Sequence, residues 1–354
     1  FEYIKILLFF FIKTSHCFIE NTFYYVIILT VQTVKVKKFK DVCFMNITKM
    51  YPAFKDYLWG GTRLRDKYGF ECDLDPIAEA WVLSCHKDGN SVAADGKYSG
   101  KTLTEMIEAE GRNILGTNVE KFKNFPMLIK LIDAEKSLSI QVHPTDEYAL
   151  EHEHEYGKTE MWYVVDCEEG SYLYYGFNRE ITAEEYKRRI EDNTLLEVLN
   201  KVEVKKGDCF FIEAGTVHAI GAGLLIAEIQ QNSNSTYRVY DFGRLGTDGK
   251  PRELHIEKAL KVSTLKPATA PIIHEDGTAE TILGTCDYFT VKKHTFKNGI
   301  ELDVDDSSFC SLLCVDGTVS VGETELKAGE SVFIPAGFGS VTVLGSGTVL
   351  ESRV

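Results

Sequence analysis

The sequence predicts an all-β protein built from two related β-barrels or sandwiches, with a few helices between strands. Three observations carry that expectation. Short runs rich in β-branched and aromatic residues recur between Gly, Pro, Asp and Asn punctuation, the spacing of a sandwich or barrel. Helical periodicity is confined to a few stretches. A twelve-residue pattern also occurs twice, as "GDCFFIEAGTVH" from Gly207 to His218 and "GESVFIPAGFGS" from Gly329 to Ser340.

The strand runs are "MWYVVD", "SYLYYGF", "DCFFIEA", "SLLCVDG", "SVFIPAG" and "SVTVLG". Helical patterns cover Leu103 to Ala109, Ala183 to Leu199 and Leu254 to Leu260. In the second, Thr182 is a candidate N-cap. Glu184 and Glu185 fall in the first turn, and Lys187, Arg188 and Arg189 follow, matching the helix dipole. The two copies of the repeat align without a gap, placing Gly207 on Gly329, Gly215 on Gly337 and His218 opposite Ser340. Each copy reads as a β-hairpin whose turn glycine supplies a positive φ. Two related barrels follow, of which only the first keeps a histidine.

A chain of 354 residues with 44% hydrophobic content suits one or two domains with a sizeable core. A formal charge of −14 argues against a nucleic-acid surface. An anionic substrate would need local Lys or Arg. Nine cysteines without a CxxC pair point to reduced thiols and a cytoplasmic enzyme. No segment beyond residue 44 reaches bilayer-spanning length, so no membrane partner is expected.

Residues 1–44 contain no Gly, Ala, Pro, Arg or Met. They read as translated upstream sequence or an unstructured extension, with the start at Met45 or Met50. A targeting segment is the rival. Its runs "ILLFFFI" and "YYVIILTV" are too short to span a bilayer, and no clear small-residue cleavage site follows. The expected domains are 45–265, metal-binding with a helical insertion, and 266–354, without the histidine.

A catalytic metal site needs about three N/O ligands and an open position. In "LSIQVHP", Leu138, Ile140 and Val142 alternate with Ser139, Gln141 and His143, a half-buried strand with one polar face. Gln141 and His143 then point the same way, about 7 Å apart. Pro144 ends the strand. Glu160 precedes an apolar run, and His218 follows the Gly215 turn. The rival pair is His152 and His154 in "EHEHE", equally spaced. That segment is polar throughout, and solvation accounts for it. The residues therefore favour His143, Glu160 and His218.

At this point a resemblance becomes specific. "SIQVHP", "GKTEMWYVV", "EAGTVHAIGAG" and "QNSNSTYRVYDFGR" resemble the type I mannose-6-phosphate isomerases, particularly their short bacterial form. "KDYLWGGTRL", "AEAWVLSCH" and "FPMLIKLIDA" fit in the same order, and the likeness covers most of Met50 to Val354. The resemblance implies cupin, or jelly-roll, barrels and an enzyme interconverting mannose 6-phosphate and fructose 6-phosphate. It implies one zinc ion per chain, held by Gln141, His143, Glu160 and His218. The catalytic arginine falls on Arg238, and the motif lysines on Lys130 and Lys158. Glu213 departs from the general cupin pattern, which has Pro there. Gln141 departs from the cupin His-x-His pair but agrees with the isomerases.

Aldose–ketose isomerisation moves a proton between C1 and C2, most simply through an enediol, and needs a polarised carbonyl and a base. Arg238 suits an anionic intermediate and is a poor base. Lys158, Glu79 and a metal-bound water remain open as the base. Ser139, Lys130 and Lys158 are candidates for the phosphate. Trp59 and Trp81 line the sugar pocket or pack the core, and "WGG" gives a flexible turn. Tyr237 and Asp241 orient Arg238 or serve structure. Two rival functions are a cupin Fe(II) oxygenase with a His143/Glu160/His218 triad and a non-catalytic sugar-phosphate-binding module. The sequence leaves oligomeric state open.

Overall fold

The structure, a computed structural model, describes residues 46–246 and 249–354. The readings on residues 1–44 lie outside that range. The chain is mostly β, and its main strands form three open sheets.

A six-stranded sheet sits at the centre, in the order Cys209–Ile212, Glu160–Cys167, Leu224–Gln231, Met127–Ala134, Glu79–Leu83, Ala53–Lys55. Every residue of Met127–Ala134 and Leu224–Gln231 is buried. Both faces are covered, which is why these strands read as near-continuous apolar runs. Side chains alternate between two cores. Ile129, Leu131, Met161 and Ile229 pack with Phe289, Phe309 and Phe333 from the C-terminal sheet. Ile132, Trp162, Phe210 and Ile226 pack with Leu173, Tyr175 and Ile220 from a five-stranded sheet.

That second sheet runs Leu199–Glu203, Tyr172–Phe177, His218–Ile220, Ile140–Val142, Tyr237–Tyr240. Its other face is covered by helices Ala183–Glu191 and Ile256–Val262. Tyr186, Ile190 and Ala259 cluster there with Ile140, Val142 and Val239. Thr182 does cap its helix, Oγ1 accepting from Glu185 N at 3.1 Å. The helix stops at Glu191, well before Leu199, because Asn193 adopts φ 56°. Asn tolerates this left-handed conformation, which ends helices. Leu195–Val198 is a 3₁₀ turn, and Leu199 begins a strand. The other two expected helices span Leu103–Glu110 and Ile256–Val262, each shifted slightly from the expected bounds, and short helices Arg63–Asp66 and Asp146–His152 were not expected.

The C-terminal sheet has nine strands and also takes in Thr48–Tyr51 and Val92–Ala93. Its enclosed face holds Leu312, Val321, Val332 and Val349. The internal repeat is visible in the backbone. Gly207 and Gly329 have φ 93° and 96°, and Gly215 and Gly337 have 91° and 76°. Strands Cys209–Ile212 and Ser331–Ile334 occupy equivalent places. Neither copy is the expected hairpin. Cys209–Ile212 pairs with Glu160–Cys167, whereas His218–Ile220 pairs with Tyr172–Phe177 and Ile140–Val142. The turn is an arch from one sheet to the facing one, and this arch carries His218 opposite Glu160.

All seven cysteines among the described residues are free. No described helix is long and apolar enough to cross a membrane.

His294 and Glu351 lie buried in the C-terminal sheet, with Nε2 and Oε2 2.6 Å apart. Burial raises the Glu351 pKa, but the hydrogen bond to His294 and the charge of Arg353 outweigh it and hold the group below its usual value. A depressed carboxyl contributes stability above its unfolded pKa and loses it as pH falls through the folded one. Glu351→Gln is expected to cost about 2 kcal/mol at pH 7. Its deficit relative to the parent should shrink below about pH 4, as read by denaturant midpoints across pH.

Candidate metal centre

The centre forms between the five- and six-stranded sheets. His218, first residue of its strand, is the direct cross-strand partner of Gln141, and Gln141 is in turn the partner of Arg238. Directly opposed residues point to the same face, so the three side chains stand in a row. His143 lies just past the end of Ile140–Val142, before Pro144. Glu160 opens its strand on the facing sheet, between Ile212 and Gln230.

His143, Glu160 and His218 each offer an atom within 4.8 Å of the others, and all three are buried. Glu160 Oε1 stands 3.2 Å from His218 Nε2, and Oε2 stands 3.7 Å from His143 Nε2. Gln141 Nε2 is 3.5 Å from His218 Nε2, so its amide joins the group. Backbone carbonyls fix both rings. His143 Nδ1 is 2.8 Å from Ser235 O, and His218 Nδ1 is 2.8 Å from Thr216 O. Those bonds require N–H at Nδ1, leaving each Nε2 with a lone pair aimed at the centre.

The donor set fits a divalent cation. His143 Nε2 and Glu160 Oε1 are buried without a hydrogen bond, and Glu160 Oε2 has only the Lys158 ammonium, at 3.0 Å. The unmatched atoms facing the centre are costly unless something positive completes it. Burial lowers the pKa of both imidazoles, that of His218 to about 4, so they are neutral ligands at pH 7. Burial also pushes Glu160 up, although Lys158 opposes it. A bound cation would restore its charge.

Beneath the ligands runs a chain of alternating charges. Lys158 Nζ is 3.0 Å from Glu160 Oε2 and 3.5 Å from Glu228 Oε1. Lys130 Nζ is 3.3 Å from Glu228 Oε1 and 3.7 Å from Glu79 Oε2. Indole N–H groups complete it: Trp162 donates to Glu228 at 2.9 Å and Trp81 to Glu79 at 2.6 Å. Burial alone would raise Glu228, but Lys158 and Lys130 prevail and hold it at about 2. Burial alone would lower Lys130, but Glu79 and Glu228 prevail and raise it. The two lysines are thus not solvated charges. Glu228 went unnoticed in the sequence, though an acid inside the run "LLIAEIQQ" was a usable signal. Glu228→Ala would strand two buried ammonium groups and is expected to cost about 3–5 kcal/mol, measurable by chemical denaturation of the purified variant.

Arg238 is half-buried, its Nε donating to Ser139 Oγ at 3.3 Å and its Nη1 to Glu253 O at 3.0 Å. Tyr237 does not orient it. Adjacent strand residues face opposite ways, and Tyr237 Oη donates to Glu153 at 2.7 Å. Asp241 instead binds Arg244 and Arg252, at 2.5 and 2.6 Å. These two guanidinium groups, missed in the sequence, act with burial to lower the Arg238 pKa.

Several other sequence expectations shift. The polar face of "LSIQVHP" is not solvated, since Ser139 and His143 are buried between the sheets. Trp81 is fully buried core, and Trp59 is also buried, beside Tyr57. Gly60 and Gly61 form no flexible turn. A Cβ on Gly60 would meet Ala78 Cβ at 2.5 Å, and one on Gly61 would meet Asp133 Oδ2 at 2.6 Å, so both serve close packing. His152 and His154 are exposed, as the solvation reading expects.

Comparison with known proteins gives the same direction. The model of the phosphomannose isomerase type I catalytic domain matches residues 47–171, and that of the mannose-6-phosphate isomerase cupin domain matches 279–354. Mannose-6-phosphate isomerase ManA of Bacillus subtilis is 38% identical over 312 residues, 86% of this chain and 97% of that protein. Mannose-6-phosphate isomerase of Streptococcus mutans is 39% identical over 284 residues, 78% of this chain and 89% of that one. A crystal structure of mannose 6-phosphate isomerase from B. subtilis superposes with a TM-score of 0.78 at 34% identity, covering 87% of this chain and 99% of that chain. The chain therefore belongs to the type I mannose-6-phosphate isomerase family.

Proposed function

We propose that the protein interconverts D-mannose 6-phosphate and D-fructose 6-phosphate through an enediol, using one zinc ion per chain. The observation carrying this reading is the buried His143–Glu160–His218 cluster with orphaned ligand atoms, in a chain of this family. Zinc suits two imidazoles, a carboxylate and, with the Gln141 amide turned so that its oxygen replaces Nε2 at the centre, an amide oxygen, with room for substrate. When bound, zinc supplies Lewis-acid polarisation of the substrate carbonyl and lowers the cost of enediolate charge.

The protein's own groups divide the remaining work. Arg238 projects beside Gln141 and stays protonated, so it faces the substrate as a fixed positive charge. Lys158, wedged between Glu160 and Glu228, is placed to hold or pass a proton at Nζ. Glu79 and Lys130 complete the charge chain that fixes it. The phosphate belongs at the guanidinium cluster. Arg244 and Arg252 share one carboxylate, Asp241, close enough to Arg238 to feel its charge, and Ser139 Oγ adjoins Arg238. Lys130 and Lys158 suit the phosphate less well, since carboxylates already match their charge.

The sheets are best read as two cupin-type barrels, with 45–265 as the catalytic domain and 266–354 as a cupin-like domain without the metal histidine. The unpaired thiols suit a cytoplasmic enzyme. A coupled fructose 6-phosphate assay tests the function. Turnover should vanish with chelator and return with zinc. Full turnover in a chelated, metal-free sample would refute it.

A further inference from the structure

A cavity of about 530 Å³ lies beside helix Leu103–Glu110, and none of Gln141, His143, Glu160 or His218 lines it. We propose that it binds a small phosphate-bearing molecule with a flat apolar body, an aryl phosphate or nucleoside monophosphate. Its volume falls in the range of small-ligand sites. Buried Ile107, Leu115, Phe125 and Tyr156 give an apolar, partly aromatic floor. The rim is cationic. Among the described residues Arg112 donates only to the carbonyls of Phe122 and Lys123, at 2.8 and 3.2 Å, and Lys123 makes no ion pair. Lys87, in contrast, is bound to Glu155 at 2.5 Å. The remaining rim acid, exposed Glu108, is outnumbered by the two unmatched cations. An anion is drawn to such a spot even on a chain of charge −14.

Two polar side chains at the wall await a partner. His86 is 5% exposed, and its Nδ1 accepts from Asp88 N at 3.1 Å, which puts the proton on Nε2. Glu155 Oε1 is 3.7 Å from that Nε2, beyond hydrogen-bond reach. Asn232 Oδ1 is buried with no partner. One donor and one acceptor thus flank the apolar floor.

Calorimetric titration of the zinc-loaded full chain with AMP, phenyl phosphate and inorganic phosphate tests the site. AMP or phenyl phosphate should bind at one site, at least tenfold tighter than inorganic phosphate. Saturating mannose 6-phosphate should not displace it. If AMP alone binds, the body recognised is a nucleoside; if both bind, it is any flat ring. Arg112→Ala with Lys123→Ala, both exposed positions, should weaken binding at least tenfold. Isomerase turnover without the probe should stay within twofold. Ile107→Trp should abolish binding by filling the floor. No binding, displacement by mannose 6-phosphate, equal binding of inorganic phosphate, or undiminished binding in the double variant would overturn the proposal.

Discussion

His218→Ala should lower isomerase turnover about 10³-fold, roughly 4 kcal/mol of barrier, and remove most bound metal. Of the clustered residues, His218 joins the two sheets, since its Nε2 faces both Glu160 Oε1 and Gln141. Without it the set keeps one imidazole, one carboxylate and one amide. Its ring also packs against Trp162 at 5.2 Å, so the fold must be checked by near-UV circular dichroism. Lost metal and turnover with an intact spectrum would fit the account. Unchanged metal content would place the ion elsewhere.

Arg238→Ala is expected to lower kcat about 10²- to 10³-fold while metal content stays at the parental level. The guanidinium touches none of the three clustered ligands and is held by Ser139 and the Glu253 carbonyl, so its loss removes a charge from the substrate side only. Arg238→Lys should recover little, because an ammonium cannot reproduce the two-donor fork. Steady-state kinetics with parallel metal analysis separates this outcome from a ligand defect. A kcat within threefold of the parent would remove Arg238 from the machinery.

Much of this centre was legible beforehand, for identifiable reasons. His143 and Gln141 were readable because i, i+2 spacing on a strand fixes direction, and Pro144 fixes where the strand ends. His218 was readable from the repeat. The hairpin expected around Gly215 is instead an arch, which crosses between sheets rather than folding back within one. Sequence shows that a turn exists but not which sheet the next strand joins. The ion chain was hidden for a related reason. Glu79, Lys130 and Glu228 lie on different strands and Lys158 on the loop before Glu160–Cys167, and only cross-strand register brings Glu228 opposite Lys130. Read singly, a lysine defaults to solvent. Arg244 and Arg252 were hidden likewise, since Asp241 gathers them from a loop without periodicity.

X-ray diffraction at energies on either side of the zinc absorption edge, on crystals of the active enzyme, tests the central claim most directly. The account predicts one strong anomalous peak per chain, within coordination distance of His143 Nε2, His218 Nε2 and a Glu160 oxygen. An empty site in crystals of undiminished activity, or a peak confined to another part of the chain, would contradict it.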